Sequence, residues 1–332
     1  PGYLYMLWFI GNLFNFLFPQ MTIFSTDFEH FLKLFTNFFD FGAAFIIYKI
    51  VSRYKRKLGL ISAILYLANP ALAFNSSVWG QVDGILAFFL VLTVYALLEL
   101  KKPILFSFLA AVTFLVKPQA IAIFPITLIY LMTNFNYKKY ISFLLLPILL
   151  VILSLPFFLS DPILGLFHLF QKSTSTYPYN SLYSYNLWAL FGWWIPDTIK
   201  YFCITNQTWG IILYFLSLTV IIGSLFFRKN FTKNTLIYFA IALSIFAFFL
   251  FPTRIHQRYL FPFFAFLLIT SFILNSLKLK LTYILLSLVH LANLWFVYYY
   301  YNYVYGNATY ASFIIYKYVE ANYNLFTILN LI

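Results

Sequence analysis

Trp79-Gly80-Gln81-Val82-Asp83, followed at once by Gly84-Ile85-Leu86-Ala87-Phe88-Phe89-Leu90, sets an amide and a carboxylate directly against hydrocarbon. An acid beside a membrane-length apolar run is costly to bury, so it faces a cavity, a partner or a ligand. Only eight of the 332 residues are acidic. Asp83 is therefore the first functional candidate.

Outward from that stretch the composition is the same throughout: 63% hydrophobic, 9% charged, mean hydropathy +0.88. Such a chain has too little polar surface to cover a water-soluble globule, and reads as a polytopic membrane protein. The net charge of +13 does not point to nucleic acid, because the Lys and Arg punctuate apolar runs instead of gathering on one solvated face. The single cysteine, Cys203, excludes an intramolecular disulfide and a cysteine metal cluster, and is expected to be a packed apolar thiol. The chain opens at Pro1 without a charged leader, and a missing N-terminal segment is expected.

Apolar runs fall at roughly residues 31 to 52, 58 to 76, 84 to 100, 103 to 117, 118 to 134, 140 to 159, 209 to 227, 234 to 252, 260 to 277 and 281 to 301. They predict an all-α polytopic membrane protein with about ten transmembrane helices plus extracytoplasmic interfacial helices. The third to fifth runs are short, so tilting or a break at Lys117-Pro118 is expected.

Basic clusters follow the odd-numbered runs: Arg53, Lys55, Arg56 and Lys57; Lys101 and Lys102; Lys138 and Lys139; Arg228, Lys229 and Lys233; Lys278 and Lys280. The positive-inside rule makes those loops cytoplasmic and turns the other ends outward. Asp83, Lys117, Asp161, Asp197, Arg254, His256 and Arg258 then collect outside, while Glu99 stays at the cytoplasmic edge. The predicted organisation is an interfacial helix and outward loop over residues 1–30, a remnant of the truncated N-terminal region; helices one to six over 31–159; an extracytoplasmic loop with interfacial helices over 160–208; and helices seven to ten with a C-terminal tail over 209–332. The plasma membrane of a bacterium is the expected location.

Three motifs carry chemistry, and each has a plainer reading. Asp83 could simply cap the helix that begins beside it. Arg254-Ile255-His256-Gln257-Arg258-Tyr259 places two guanidiniums and an imidazole within five residues. Arg binds phosphate with a planar fork, but basic residues at a membrane edge also anchor lipid headgroups. Lys117-Pro118-Gln119 puts an ammonium and an amide at a proline break, where an anion could bind or the lysine could merely snorkel. His168, His290 and Asp40 stand singly, with no metal-ligand spacing, so no metal site is assigned; no cofactor is required by the sequence, and divalent-metal dependence stays open. Sequons at Asn75, Asn206 and Asn307 matter only in a eukaryotic secretory context.

These pieces resemble the C-type polytopic glycosyltransferases, specifically bacterial mannosyltransferase-like proteins related to the second mannosyltransferase of GPI-anchor assembly. The resemblance rests on Pro1-Gly2-Tyr3-Leu4-Tyr5, on Asn69-Pro70 through Trp79-Gly80-Gln81-Val82-Asp83, on Lys117-Pro118-Gln119 and on His256-Gln257-Arg258-Tyr259, with Asn186-Leu187-Trp188 as a further element. Where the family has His-Glu-Arg-Tyr, Gln257 stands here.

The resemblance implies a C-type glycosyltransferase fold and hexosyl transfer, with mannose as the suggested sugar and inversion at the anomeric carbon. The donor is a polyprenyl-phosphate-linked sugar and the acceptor an extracytoplasmic glycan, lipid or protein. It further implies that the catalytic acid lies upstream of Pro1, which leaves Asp83 a site-shaping or accessory role in catalysis. Trp79, Gln81, Lys117, Gln119, Asn186, Arg254, His256, Arg258 and Tyr259 are the expected substrate-binding residues. Membrane lipids are partners, nucleic acid is not. The rival from another class is a carrier or flippase for an anionic lipid-linked substrate, which would hold its cations at midplane depth.

Overall fold

A computed structural model gives the structure over residues 1–23, 25–227, 233–304 and 313–332. Helix α1 (Gly2–Leu17) lies on α2 (Thr26–Tyr54), with Phe14 of α1 packed against Phe28 and Phe31 of α2. Ser25 caps α2 by accepting from the Phe28 amide at 3.2 Å, and Asp27 and Glu29 in the first turn suit the positive end of the helix dipole. Next come α3 (Gly59–Leu67), α4 (Pro70–Ala73) and a π-turn at Phe74–Val78. The chain bends by 45° between the two halves of this segment. The cause is local: Pro70 opens α4, and Asn69 caps it by accepting from the Ala71 and Leu72 amides. The other face of Asn69 holds α13, its amide donating to Tyr283 Oη at 2.9 Å and Ser287 Oγ at 2.7 Å.

Helices α5 (Asp83–Leu98) and α6 (Pro103–Val116) follow. A 3-10 stretch, Pro118–Ile123, leads into α7 (Phe124–Asn134), then α8 (Lys138–Ser154) and α9 (Pro162–Ser175). The next segment carries β1 (Ser181–Leu182), β2 (Lys200–Tyr201) and β3 (Ile204–Thr205), and the fold continues with α10 (Asn206–Phe227), α11 (Asn234–Leu250), β4 (Ile255–His256), α12 (Phe261–Ile273), α13 (Leu277–Tyr299), α14 (Phe313–Ala321) and α15 (Tyr323–Leu331).

Every side chain of α12 is buried, and α12 packs against α2, α3, α5, α11 and α13. A helix apolar on all sides belongs in an interior, and α12 is the axis of the core. The periphery is apolar too. Phe143, Leu144 and Ile148 of α8 and Phe215, Leu216 and Val220 of α10 are exposed, which suits contact with lipid.

The helices are fewer and shorter as spans than the sequence predicts. Four described helices are long and apolar enough to cross a membrane: Thr26–Tyr54, Lys138–Phe157, Asn206–Phe227 and Leu277–Asn302. A fifth is added if the bent pair Arg56–Leu67 and Pro70–Val78 counts as one span. This overturns the expectation of about ten transmembrane helices, and with it the ten-span C-type glycosyltransferase architecture, although the chain is largely α-helical.

The reason lies in the helix ends. The remaining apolar runs form helices of 10–17 residues; at about 1.5 Å per residue a helix as long as α5 covers about 24 Å, short of a hydrocarbon core about 30 Å thick. Their ends are set by backbone that cannot continue a helix. Gly80 (φ 76°), Lys101 (φ 55°), Arg254 (φ 63°) and Asn275 (φ 48°) are left-handed, and Lys117 is extended.

Smaller expectations also meet the structure. Cys203 is exposed, not packed, at the turn between β2 and β3, where Phe202 and Cys203 share the positive φ of a two-residue hairpin turn. The sequon residues Asn75 and Asn206 are fully buried. Asn307, and Arg228 and Lys229 of the fourth basic cluster, lie outside the described residues.

Polar groups gather at the two ends of α5. Past its C-terminus, the largely buried Glu99 accepts from Tyr54 at 2.7 Å and Tyr238 at 3.1 Å and pairs with Arg53 at 3.4 Å. Nearby, Lys101 meets Tyr130, and Asn234 bonds Tyr130 and the Leu98 carbonyl. Residues following the first, third and seventh apolar runs thus meet at one end. Asp83 marks the other.

Candidate functional site

Asp83 is the first residue of α5 and is fully buried. Val82, not Asp83, stands at the N-cap, and no helix amide donates to the Asp83 carboxylate among the described residues, so the plainer reading of this acid fails. Its Oδ1 instead accepts from the Lys117 ammonium, and Arg258 Nε lies 3.8 Å from Oδ2. Three segments far apart in sequence therefore meet on one carboxylate. Lys117 points inward, with its side chain only 15% exposed, and is not snorkelling.

The backbone explains the approach. Lys117 is the extended residue between α6 and the 3-10 stretch, so its side chain leaves the axis of both. Its ammonium also lies 4.7 Å from the centroid of the Tyr259 ring, a cation–π contact. Two residues on, the Gln119 amide donates to the Tyr259 carbonyl at 2.5 Å, while its Oε1 is buried without a partner. Burial pushes the Lys117 ammonium below its usual range against the pull of Asp83, and Arg258 adds to the depression.

His256 packs its ring against Tyr177 and Tyr259. Burial, helped by Arg258 and Lys117, lowers its pKa to about 3. The imidazole is therefore neutral near pH 7, offering one donor and one acceptor but no charge to a ligand.

Arg254 serves another purpose. Its Nε donates to Asp197 Oδ2 at 2.6 Å and its Nη2 to Oδ1 at 3.2 Å, while Nη1 donates to the Thr174 carbonyl at 2.7 Å. Asp197 is fully buried and also accepts from Thr253. This bidentate pair fastens the loop after α11 to the segment between α9 and α10. Strands β1 and β4 pair in parallel beside it, and the Arg254 amide donates to the Tyr179 carbonyl. Asn186 and Trp188 complete the attachment, donating to the Pro252 and Phe251 carbonyls at 3.4 Å and 2.5 Å. Neither lines the cavity that these elements enclose.

Between these elements lies a cavity of about 620 Å³. Lys117, Gln119, Arg254, His256 and Tyr259 give it a polar side, and Phe114, Ile121, Phe170 and Phe248 give it apolar walls, with Ser173, Thr174, Thr176 and Tyr177 closing it from α9 and the turn after it. The sequence thus placed five of its nine expected binding residues on one cavity. Arg258 stands behind it on Asp83, and its guanidinium makes no hydrogen bond among the described residues. Trp79 turns away and packs edge-on against Tyr298 at 5.8 Å. Gln81 lies in the half-buried turn before α5, its backbone N–H donating to the Asn75 backbone carbonyl.

The N-terminal stretch joins the same neighbourhood. Gly2 sits so tightly on α6 that a methyl there would come within 2.6 Å of the Leu115 and Val116 backbone, and Pro1, Tyr3 and Leu4 share a smaller cavity of about 150 Å³ with Val116, Pro118 and Phe170.

Sequence reasoning missed two features. Asp40 of α2, set aside as solitary, is buried beside Gly84; a lone acid inside a spanning run was the available signal. Asp197 was recognised as an outward acid but not as the partner of Arg254, a pairing that no local pattern announces. Among the described residues no group of three or more His, Cys, Asp or Glu side chains is placed to hold a metal ion. In comparisons with known proteins, no family model and no curated sequence matches the chain.

Proposed function

We propose that this chain is a membrane hexosyltransferase that moves a sugar, with mannose suggested by the resemblance, from a polyprenyl-phosphate-linked donor to an extracytoplasmic acceptor. The observation that carries this reading is convergence. Asp83 at the end of the Trp79 stretch, Lys117 of the Lys117 to Gln119 stretch and Arg258 of the His256 to Tyr259 stretch meet at one carboxylate, the Pro1 to Tyr5 stretch packs on the end of α6 beside them, and Asn186 fastens the loop above.

The chemistry of the cavity agrees with an amphiphilic anion. Apolar walls suit a prenyl chain, and Lys117, with Arg258 behind it, supplies positive charge for a phosphate. Gln119 and the neutral His256 offer hydrogen bonds for sugar hydroxyls. Asp83 holds the two cations in place and so acts as a site-shaping residue. Arg254 shapes the cavity through Asp197. The cavity lies at the end of α5 opposite Arg53 and Lys101, which by the positive-inside rule faces away from the cytoplasm of a bacterial plasma membrane. A donor that dissolves in the membrane fits that side, where nucleotide sugars are not supplied.

The test is binding and transfer with the full-length protein in lipid nanodiscs, using a polyprenyl-phosphate sugar, the dephosphorylated polyprenol and inorganic phosphate as probes. The phosphate-bearing lipid is expected to bind far better than either fragment, with Arg258→Ala and Asp83→Ala losing it while folding survives. Unchanged binding and transfer in both variants would sink the assignment. Vectorial movement of the intact lipid without sugar transfer would replace the transferase by a carrier.

A further inference from the structure

Behind Asp83, on the α2 side of α5, lies the second buried acid. A methyl built on Gly84 would come within 2.3 Å of Asp40 Oδ1 and 3.1 Å of Ser76 Oγ, so both oxygens are aimed at the same point beside the first turn of α5. Asp40 Oδ1 and Ser76 Oγ lie side by side and, among the described residues, have no partner beyond each other, and Asp83 Oδ2 on the adjoining residue accepts no hydrogen bond. Asn75, from the same π-turn as Ser76, has both amide atoms unpartnered. Ser76, Asp83 and Asn75 are fully buried, and Asp40 is 9% exposed.

The charges are unevenly shared. Lys117 and Arg258 both address Asp83, and among the described residues no cation lies within ion-pair distance of Asp40. A buried carboxylate without a counter-charge is strongly disfavoured. A proton on Asp40 would remove the charge and keep its contact with Ser76 but leave Asp83 Oδ2 without a hydrogen bond, whereas one coordinated cation would meet all three oxygens. The donors are all hard oxygens, which select alkali and alkaline-earth ions over softer metals. Lys117 and Arg258, already on the shared Asp83, repel a dication more than a monocation. The π-turn that presents Ser76 is itself a distortion found frequently at functional sites.

We propose that Asp40, Ser76 and Asp83 form a binding site for a small monovalent cation, Na+, at the junction of α2, the π-turn and α5. Asp40 and Ser76 are not among the residues lining the amphiphile cavity, and the proposal does not depend on the transferase reading. Asp83 links the two sites through Lys117, which lines the cavity, so the cation holds in place the carboxylate that organises Lys117 and Arg258.

The test is equilibrium binding of radiolabelled Na+ to the purified chain in detergent, at ionic strength held constant with choline, together with the melting temperature in Na+ and in choline. Saturable Na+ binding and a higher melting temperature in Na+ are expected for the natural chain. Both are expected to be lost in Asp40→Asn and in Gly84→Ala, whose added methyl occupies the site, and weakened in Ser76→Ala. Glu99→Gln, at the far end of α5, retains them. If Asp40→Asn fails to fold, Gly84→Ala and Ser76→Ala decide, since they leave both partners of Asp83 in place. Absence of saturable Na+ binding, binding that survives Gly84→Ala unchanged, displacement by Mg2+ at far lower concentration than by Na+, or a melting temperature that follows pH but not Na+ would each overturn the proposal.

Discussion

Arg258 and Asp83 face each other at 3.8 Å, Nε to Oδ2, on the carboxylate oxygen that the Lys117 ammonium leaves open. One acid thereby holds two cations that would otherwise repel each other. Replacing it with Ala leaves both unpaired and only partly hydrated, with side-chain exposures of 15% and 24%. Removing one partner of a buried pair is costly, and solvent screening of the cations trims that cost, so Asp83→Ala is expected to destabilise by about 2 kcal/mol. Thermal unfolding in detergent measures it, and a further Lys117→Met change is expected to recover part of the loss.

Arg258→Ala keeps Lys117 on Asp83 and removes a guanidinium that makes no hydrogen bond among the described residues. A charged hydrogen bond to phosphate contributes about 1.5 to 3 kcal/mol, so binding of a lipid-linked phosphate is expected to weaken about tenfold or more. Arg258→Lys restores charge without the fork and is expected to recover only part of the affinity. Titration in nanodiscs reads both.

Arg254 is expected to behave as a fastening. Asp197→Ala strands its guanidinium and removes three hydrogen bonds from the loop, with an expected loss of about 3 kcal/mol. Arg254→Ala and Asp197→Ala together are expected to cost clearly less than the sum of the two singly. Additive losses in a double-mutant cycle would show that the pair is not coupled.

His256 gives stability a sign with pH. Its folded pKa of about 3 lies below the ordinary 6.5, so between those values the unfolded chain binds the proton and the folded chain does not. Its contribution is whole above pH 6.5 and drains away as pH falls toward 3. The difference in melting temperature between the natural chain and His256→Gln is expected to change over that window and to be flat above it.

Glu99 supplies the converse. Glu99→Ala is expected to destabilise by about 2 kcal/mol, since it strips partners from Arg53, Tyr54 and Tyr238. Ligand binding at the Asp83 end is expected to stay unchanged, as a titration beside the melting curve would show.

The gathering of charge into two groups was legible in the sequence because charge is written locally: Arg53 and Asn234 meet at Glu99 with Lys101 on Asn234, and Lys117 and Arg258 meet at Asp83. Span length was not legible. Hydropathy does not show that Lys101, Arg254 and Asn275 adopt left-handed backbone and cut apolar runs below crossing length. The capture of Arg254 by Asp197 is a tertiary pairing, invisible to any window. Asp40 was visible as an acid in a spanning run, but its meaning depends on Gly84, which lies on another helix and is informative only for the side chain it lacks.

The parallel pairing of β1 with β4, and the Arg254–Asp197 pair beside it, tie residues 181–197 to residues 254–256. Since a chain is made from its N-terminus and its parts fold as they emerge, Lys117 and Asp83 are in place long before Arg258 exists. The cavity is thus closed late in biogenesis, only after α10 and α11 have been made and laid alongside the earlier helices. A nascent chain halted before β4 would carry the polar floor of the cavity, complete with its first ion pair, open to whatever the membrane presents.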